Sequence, residues 1–150
     1  MKRSAPFLPL LAALALCQSG YDAHASSGRD SPEALRDAFM HAYATRDVDA
    51  AFKLYCTAGS SPRYMEMYKD SIRHEFSMSI TEAVVLTSVE AAIHDGPHTV
   101  EPLGRVVLHF SRKGQPGPKI YTESFTYFGQ KAGRYCFGIP VERDRAPPLW

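Results

Sequence analysis

The order of the sequence patterns along the chain constrains its fold more than any other feature, because helix patterns come first and strand patterns follow. Ser31-Pro32, Asp47 and Ser61-Pro62 each place a capping side chain before an apolar stripe with helical spacing. From residue 83 onward, alternating segments separated by Gly and Pro turns predict strands in an antiparallel meander. This order predicts an α+β fold, with N-terminal helices packed on one face of a curved antiparallel sheet.

The spacing of apolar residues sets the expected bounds of these elements. In the first helix the stripe is formed by Leu35, Ala38, Phe39, Ala42 and Tyr43. The second helix is expected to bury residues as far as Tyr55 and to end near Gly59, and the third repeats aromatic residues from Tyr64 to Phe76. Strands are predicted at residues 83–93, 105–111, 120–128 and 134–141, with a helical alternative for residues 88–93.

The N-terminal 25 residues have the layout of a secretory signal peptide. Met1-Lys2-Arg3 carries positive charge, residues 7–16 are apolar, and Ala23-His24-Ala25 supplies small residues at a cleavage site. This predicts a signal peptide at 1–25, a domain at 26–141, and a charged, proline-rich tail at 142–150. The protein is then expected in the periplasm or outside the cell.

A lipid anchor is the alternative to simple cleavage. Residues 14–17, Leu-Ala-Leu-Cys, resemble a lipobox in which Cys17 would carry the lipid. Either way, an apolar run of about ten residues is too short for the roughly 20 residues of a membrane-spanning helix, so we expect no transmembrane segment.

The charge of the mature chain argues against nucleic acid and anionic lipid as partners. Removing residues 1–25 leaves equal numbers of basic and acidic residues, with no basic stripe. A chain of this length is expected to form one domain around one core.

Two cysteines remain after processing, Cys56 and Cys136. In an oxidising compartment an even pair predicts one disulfide, which would close a loop of about 80 residues. The alternative is two buried, unpaired thiols.

The helical opening resembles that of the NTF2-like superfamily, which has a cystatin-like cone fold. The residues that carry the resemblance are Ala38-Phe39, Ala42-Tyr43, residues 46–51 and Leu54-Tyr55. The resemblance implies a cone with a pocket between helices and sheet. The superfamily contains isomerases, dehydratases, ligand carriers, and secretion or immunity components. The isomerase aspartate motif has no counterpart here, so the resemblance implies no catalytic residue.

Glu123 is the main candidate for chemistry. It lies on an otherwise aromatic strand face with Tyr121, Phe125 and Tyr127. If that face lines the cone, desolvation raises the pKa of Glu123, and the carboxylate could act as an acid or base. Together with Tyr43 on the sheet-facing stripe of the first helix, Glu123 and Tyr127 form the predicted ligand-binding site. The alternative is that Glu123 pairs with Lys or Arg at the rim.

Metal and cofactor sites are not expected. His94 and His98 flank Asp95-Gly96-Pro97, but two ligands fall short of the three or four that zinc needs. There is no phosphate-binding glycine loop, and no nucleophile elbow surrounds Ser60-Ser61.

These observations favour a secreted or periplasmic module that binds a small apolar ligand or an envelope protein and is not an enzyme. One alternative is a small isomerase, dehydratase or hydrolase with Glu123 as acid/base. Another is a periplasmic inhibitor or immunity protein.

The last strand also suggests a homodimer through a sheet face. Tyr135, Phe137, Ile139 and Val141 alternate with Cys136. If the disulfide draws Cys136 towards the helices, this apolar row points away from them and is covered by a second copy. The row stays in the core instead if the strand bulges at Gly138 or Cys56 reaches round the sheet edge.

Overall fold

The computed structural model describes residues 29–115 and 121–141 of the chain. The predicted signal peptide, the lipobox at Cys17 and the tail at 142–150 lie outside these residues. The elements are, in chain order, α1 (Pro32–Thr45), α2 (Val48–Phe52), β1 (Tyr55–Cys56), α3 (Pro62–Ser77), β2 (Ile80–Leu86), a 3₁₀ helix (Glu90–Ala92), β3 (Gly104–Phe110), β4 (Glu123–Lys131) and β5 (Arg134–Gly138).

All three predicted helix starts are confirmed. The Ser31 hydroxyl accepts a hydrogen bond from the Ala34 amide at 3.1 Å, and the Asp47 carboxylate accepts one from the Ala50 amide at 2.8 Å. The Ser61 hydroxyl caps α3 in the same way. Each cap satisfies an amide that the first turn of a helix leaves without a partner.

The strands form one open, mixed five-stranded sheet in the order β1-β5-β4-β3-β2. Strands β2 to β5 are antiparallel neighbours, which confirms the predicted meander and the α+β class, whereas β1 runs parallel to β5. The alternative of a helical segment within residues 88–93 is also confirmed, as the 3₁₀ helix.

The short strand β1 corrects the expectation that α2 continues to Gly59. Tyr55 instead pairs in register with Phe137 of β5, and the two ring centroids are 5.1 Å apart. The Phe137 amide also donates to the Leu54 carbonyl at 3.0 Å. Pairing with a sheet edge and packing of two aromatic rings therefore override the local helical pattern.

The helices cover the inner face of the sheet, where the core lies. Phe39 of α1 contacts Phe76 of α3 and Phe137 of β5, with ring centroids 5.6 and 5.8 Å apart. The fully buried members of this core include Leu35, Ile72, Phe128, Phe137 and Ile139. A single apolar core thus joins all three helices to the sheet.

The last strand follows the second of the two predicted arrangements, in which its apolar row stays in the core, and the outward-facing row is wrong. Phe137 and Ile139 are buried on the helix side, with exposed fractions of 1% and 0%. Alternation therefore places Cys136 on the outer face, together with Cys56 of the edge strand. Their sulfurs are at bonding distance, 2.10 Å, which is consistent with the expected disulfide between these neighbouring strands. Cys56 reaches Cys136 along the sheet edge. The apolar row that was expected to form a homodimer interface is therefore not exposed.

The segment between β2 and β3 covers part of the outer face. Its residues Ala91 and Val100 are buried. Val100 packs over Gly129 and Gly138, and a Cβ at Gly129 would collide with the carbonyl oxygen of Glu101. Close approach of the backbone explains the glycine at position 129.

None of the helices in the described parts of the chain is long and apolar enough to cross a lipid bilayer.

Candidate functional site

A cleft of about 400 Å³ opens between α3 and the adjoining ends of β3 and β4. Its exposed surface is mostly apolar, although six of the ten lining side chains are polar or charged. The lining residues are Met67, Asp70, Ser71, His74, Glu75, Met78, Phe110, Tyr121, Glu123 and Ser124. A mostly apolar surface with polar groups at defined positions is also typical of pockets that bind small molecules.

Helical spacing explains why α3 forms one wall of this cleft. Residues 67, 71, 75 and 78 recur at three- and four-residue intervals and so share a face. The neighbouring stripe, with Ile72 and Phe76, is buried in the core. α3 therefore lies on the sheet by one stripe and presents the next stripe to the cleft.

Glu75 and Ser124 form a polar pair in this cleft. The Ser124 hydroxyl of β4 donates to Glu75 Oε1 at 2.7 Å. Burial raises the pKa of Glu75, and the hydrogen bond from Ser124 partly offsets this rise. Within residues 29–115 and 121–141, the ion pairs formed by Lys and Arg do not include Glu75.

The charge of Glu75 acts on two tyrosines, Tyr55 of β1 and Tyr68 of α3 itself. The pKa of Tyr55 is raised, mainly by burial and then by the Glu75 carboxylate, while a hydrogen bond with Thr126 opposes the rise. Burial and Glu75 raise the pKa of Tyr68 in the same way. Both phenols therefore stay neutral, and the Glu75 carboxylate is a charged group that raises the pKa of each.

The rim of the cleft is aromatic and acidic. The rings of His74 and Tyr121 meet edge to face with centroids 5.3 Å apart, and Tyr121 is 40% exposed. Glu123 is exposed at the start of β4. Asp70 forms an ion pair with Arg73 on the outer surface of α3.

Glu123 thus borders the cleft, but its environment differs from the predicted one. The aromatic face that it shares with Phe125 and Tyr127 points away from the helices, and Ser124 and Phe128 are on the helix side. Complete burial of Phe128 fixes this alternation, since a one-residue shift would move every side chain to the other face. The exposed Glu123 carboxylate lacks the burial on which the acid/base hypothesis depended.

The structure does not bring the three predicted ligand-binding residues together. The Tyr43 hydroxyl donates to the Met78 carbonyl at 3.0 Å and accepts from the Ile80 amide at 3.2 Å, so it links α1 to the start of β2. The Tyr127 hydroxyl donates to the Ile93 carbonyl at 2.7 Å on the outer face.

Sequence reasoning missed Glu75 and Ser124. A signal for Glu75 was present, because it follows Tyr68 and Ile72 at helical spacing and precedes Phe76. A carboxylate beside an aromatic stripe loses part of its hydration when the stripe is buried. Ser124 could be identified only once the inward face of β4 was known.

A second cluster of rings lies on the outer face. Tyr127 contacts His98 and Phe125, with centroids 5.3 and 5.4 Å apart, and the Arg105 guanidinium lies 5.0 Å from the Phe125 ring. The Nδ1 atoms of His94 and His98 lie 2.7 and 3.2 Å from the same Gly96 carbonyl oxygen. Burial lowers the pKa of His98. The described residues contain no group of three or more ligands suited to a metal ion.

Neither the scan against protein-family models nor the search of curated proteins found a match. Among solved structures, the chain is similar to a SEC-C motif containing protein from Rhodopseudomonas palustris, which was solved in solution. The two are 27% identical, with 75% of this chain and 80% of that chain covered and a TM-score of 0.40.

This finding overturns the predicted NTF2-like assignment, because the matched structure is a SEC-C motif protein. The packing also differs from the pocket that the resemblance implied. The gap between Phe39, Tyr55 and Phe137 at the centre of the inner face is only about 10 Å³. Aromatic side chains fill that region, and the open space lies at the edge, beside α3.

Proposed function

We propose that the protein is an exported, non-enzymatic module that binds a small molecule in the cleft between α3 and β4. The observation that carries this proposal is the half-buried Glu75–Ser124 pair in a cleft of about 400 Å³ whose exposed surface is mostly apolar. The signal-type N-terminus and the two cysteines at bonding distance support export to an oxidising compartment.

The size and lining of the cleft support a small ligand. Pockets for small molecules occupy about 300–1,000 Å³ and combine apolar contact area with a few groups that fix orientation. Met67, Met78 and Phe110 supply the apolar contact area. Glu75 supplies a fixed polar contact because Ser124 holds its carboxylate.

Binding is favoured over the enzyme alternative built on Glu123. A general acid or base at that position needs burial to shift its pKa and a second polar group directed at the same atom. Glu123 is exposed, and no hydrogen bond between its side chain and another side chain of the described residues is present. No observation favours an inhibitor or immunity role.

Titration of the purified, oxidised protein with benzyl alcohol, followed by amide NMR, tests this proposal. A probe of this size is expected to bind with a Kd on the order of 1 mM. Amide shifts should concentrate in the second half of α3 and the first half of β4. Shifts confined to the outer face around Tyr127 and His98 would contradict the proposal.

A matched pair of variants locates the binding. Ser71→Phe places a ring in the cleft and should abolish the shifts, because Ser71 is exposed and lines it. Arg63→Phe places the same ring at an exposed position in the first turn of α3, outside the cleft lining, and should leave them unchanged. If both variants lost the amide shifts equally, the effect would come from a change in α3 as a whole and not from filling of the cleft.

A further inference from the structure

We propose that the ligand of this cleft is an organic cation, an ammonium group on an apolar body, and that Glu75 is its anionic anchor. This inference rests on the proposed binding function and specifies the class of ligand. Two features of the cleft support it: the Glu75 carboxylate has hydrogen-bond acceptor positions left free, and aromatic and methionine side chains line the same space.

The compensation of Glu75 is incomplete within the described residues. Its carboxylate takes part in one side-chain hydrogen bond, from the neutral Ser124 hydroxyl. A carboxylate has about four acceptor positions, so others remain for a ligand. The nearby Asp70 differs, because Arg73 already neutralises it.

The sign of the charge around Glu75 also favours a cation. No Lys or Arg is among the described residues that line the cleft, whereas Glu123 adds a second carboxylate at its rim. A cation entering this space gains from both carboxylates, and a partly desolvated site screens that attraction less than open water does. An anionic ligand would be repelled by the same groups, which provides discrimination.

The walls suit the rest of such a ligand. Phe110 and Tyr121 line the cleft, and aromatic rings attract an ammonium group placed over their faces. Met67 and Met78 add flexible apolar contact, which adapts to bodies of different shape. An ammonium with an aromatic or alkyl body therefore matches both kinds of lining, whereas a small inorganic cation would leave the apolar wall unused.

Three probes that share a phenyl body test the inference on the unmodified sequence. Benzylamine, benzyl alcohol and benzoate are each titrated into the purified, oxidised protein at neutral pH and low salt, with amide NMR as readout. We expect benzylamine to bind about tenfold more tightly than benzyl alcohol, and benzoate to bind more weakly than either. N-acetyl-lysine amide, an ammonium without a ring, should bind more weakly than benzylamine.

Two variants with the same change in charge assign the preference to Glu75. Glu75→Gln should reduce the affinity for benzylamine to that for benzyl alcohol and leave the latter unchanged. Glu82→Gln removes an exposed carboxylate from β2 and should leave the preference for benzylamine intact.

The outcomes separate this inference from the proposed function. If none of the probes shifts the amides of the cleft at a concentration about ten times the expected Kd, the proposed binding function itself is wrong. If benzyl alcohol or benzoate binds there as tightly as benzylamine, the cleft binds small molecules and the cationic class is wrong. Equal binding of N-acetyl-lysine amide would overturn the requirement for an apolar body and point to a lysine side chain as the natural ligand.

Discussion

Two regions of the helix–sheet interface differ in how the same face of the sheet is covered. In the packed region, around α1, β1 and β5, Phe39, Tyr55 and Phe137 leave a gap of only about 10 Å³. In the open region, between α3 and the adjoining ends of β3 and β4, the cleft measures about 400 Å³.

Side-chain type explains this difference. Aromatic rings in contact with one another fill the packed region, as close packing in a protein core requires. The open region has the Glu75–Ser124 pair and two methionines in its walls instead. Polar groups that need partners prevent close apolar packing there, so the same sheet supports stability in one region and leaves room for a ligand in the other.

The largest expected effect is the loss of a ring from the packed region. Phe137→Ala should lower the free energy of unfolding by about 3–5 kcal/mol, because Phe137 is 1% exposed and its ring meets those of Phe39 and Tyr55. Phe125→Ala, at a ring that is 49% exposed on the outer face, should cost less than about 1 kcal/mol. Urea unfolding of both variants checks the difference, and equal losses would contradict the contrast in packing.

Removal of the disulfide should have the next largest effect. Replacing Cys56 and Cys136 together with Ser should lower the free energy of unfolding by about 2–4 kcal/mol, since the bond closes a loop of 80 residues. The pairing of β1 with β5 should weaken first, and hydrogen exchange of the Phe137 amide reports this. Unchanged stability after reduction would show that the two thiols are not bonded.

A smaller effect, of opposite sign, is expected in the open region. Burial raises the pKa of Glu75 in the folded state above its usual value of 4.5. At neutral pH Glu75→Gln should therefore keep the stability or raise it by up to about 1 kcal/mol, because the variant removes a desolvated charge and its amide oxygen can still accept from Ser124.

The pH dependence of this difference has a defined direction. The folded state binds the proton of Glu75 more tightly than the unfolded state does. The stability of the natural protein relative to Glu75→Gln should therefore rise as the pH falls through the folded-state pKa, and level off below the unfolded-state value. Thermal unfolding of both proteins between neutral pH and about pH 4 measures it. A relative loss of stability on acidification would contradict the assignment.

The smallest effect is expected at the rim. Glu123→Gln should change the free energy of unfolding by less than about 0.5 kcal/mol, since the side chain is exposed. A fall of several degrees in the melting temperature would reveal an ion pair that stabilises the fold.

The sequence predicted the elements better than the site, for physical reasons. Helix caps and the alternation of strands are local signals, so the starts of the three helices and the meander could be inferred from residues such as Ser31, Asp47 and Ser61. Which side chains of β4 face the helices depends on the long-range packing of Phe128, and the parallel strand β1 depends on that of Tyr55. No local pattern encodes either contact. Glu123 and Tyr127 therefore lie on the outward face of β4 rather than the expected inward one, and Glu75, 49 residues from Ser124, was not recognised.

The methionine methyl groups can report directly whether a ligand enters the cleft. Met67 and Met78 line the cleft, whereas Met40 and Met65 pack against the core and lie outside the cleft lining. With ¹³C-methyl methionine in the protein and benzylamine bound, we predict intermolecular nuclear Overhauser effects from the probe to Met67 and Met78, and none to Met40 or Met65. Binding of benzylamine without any such contact to Met67 or Met78 would contradict binding in the cleft between α3 and β4.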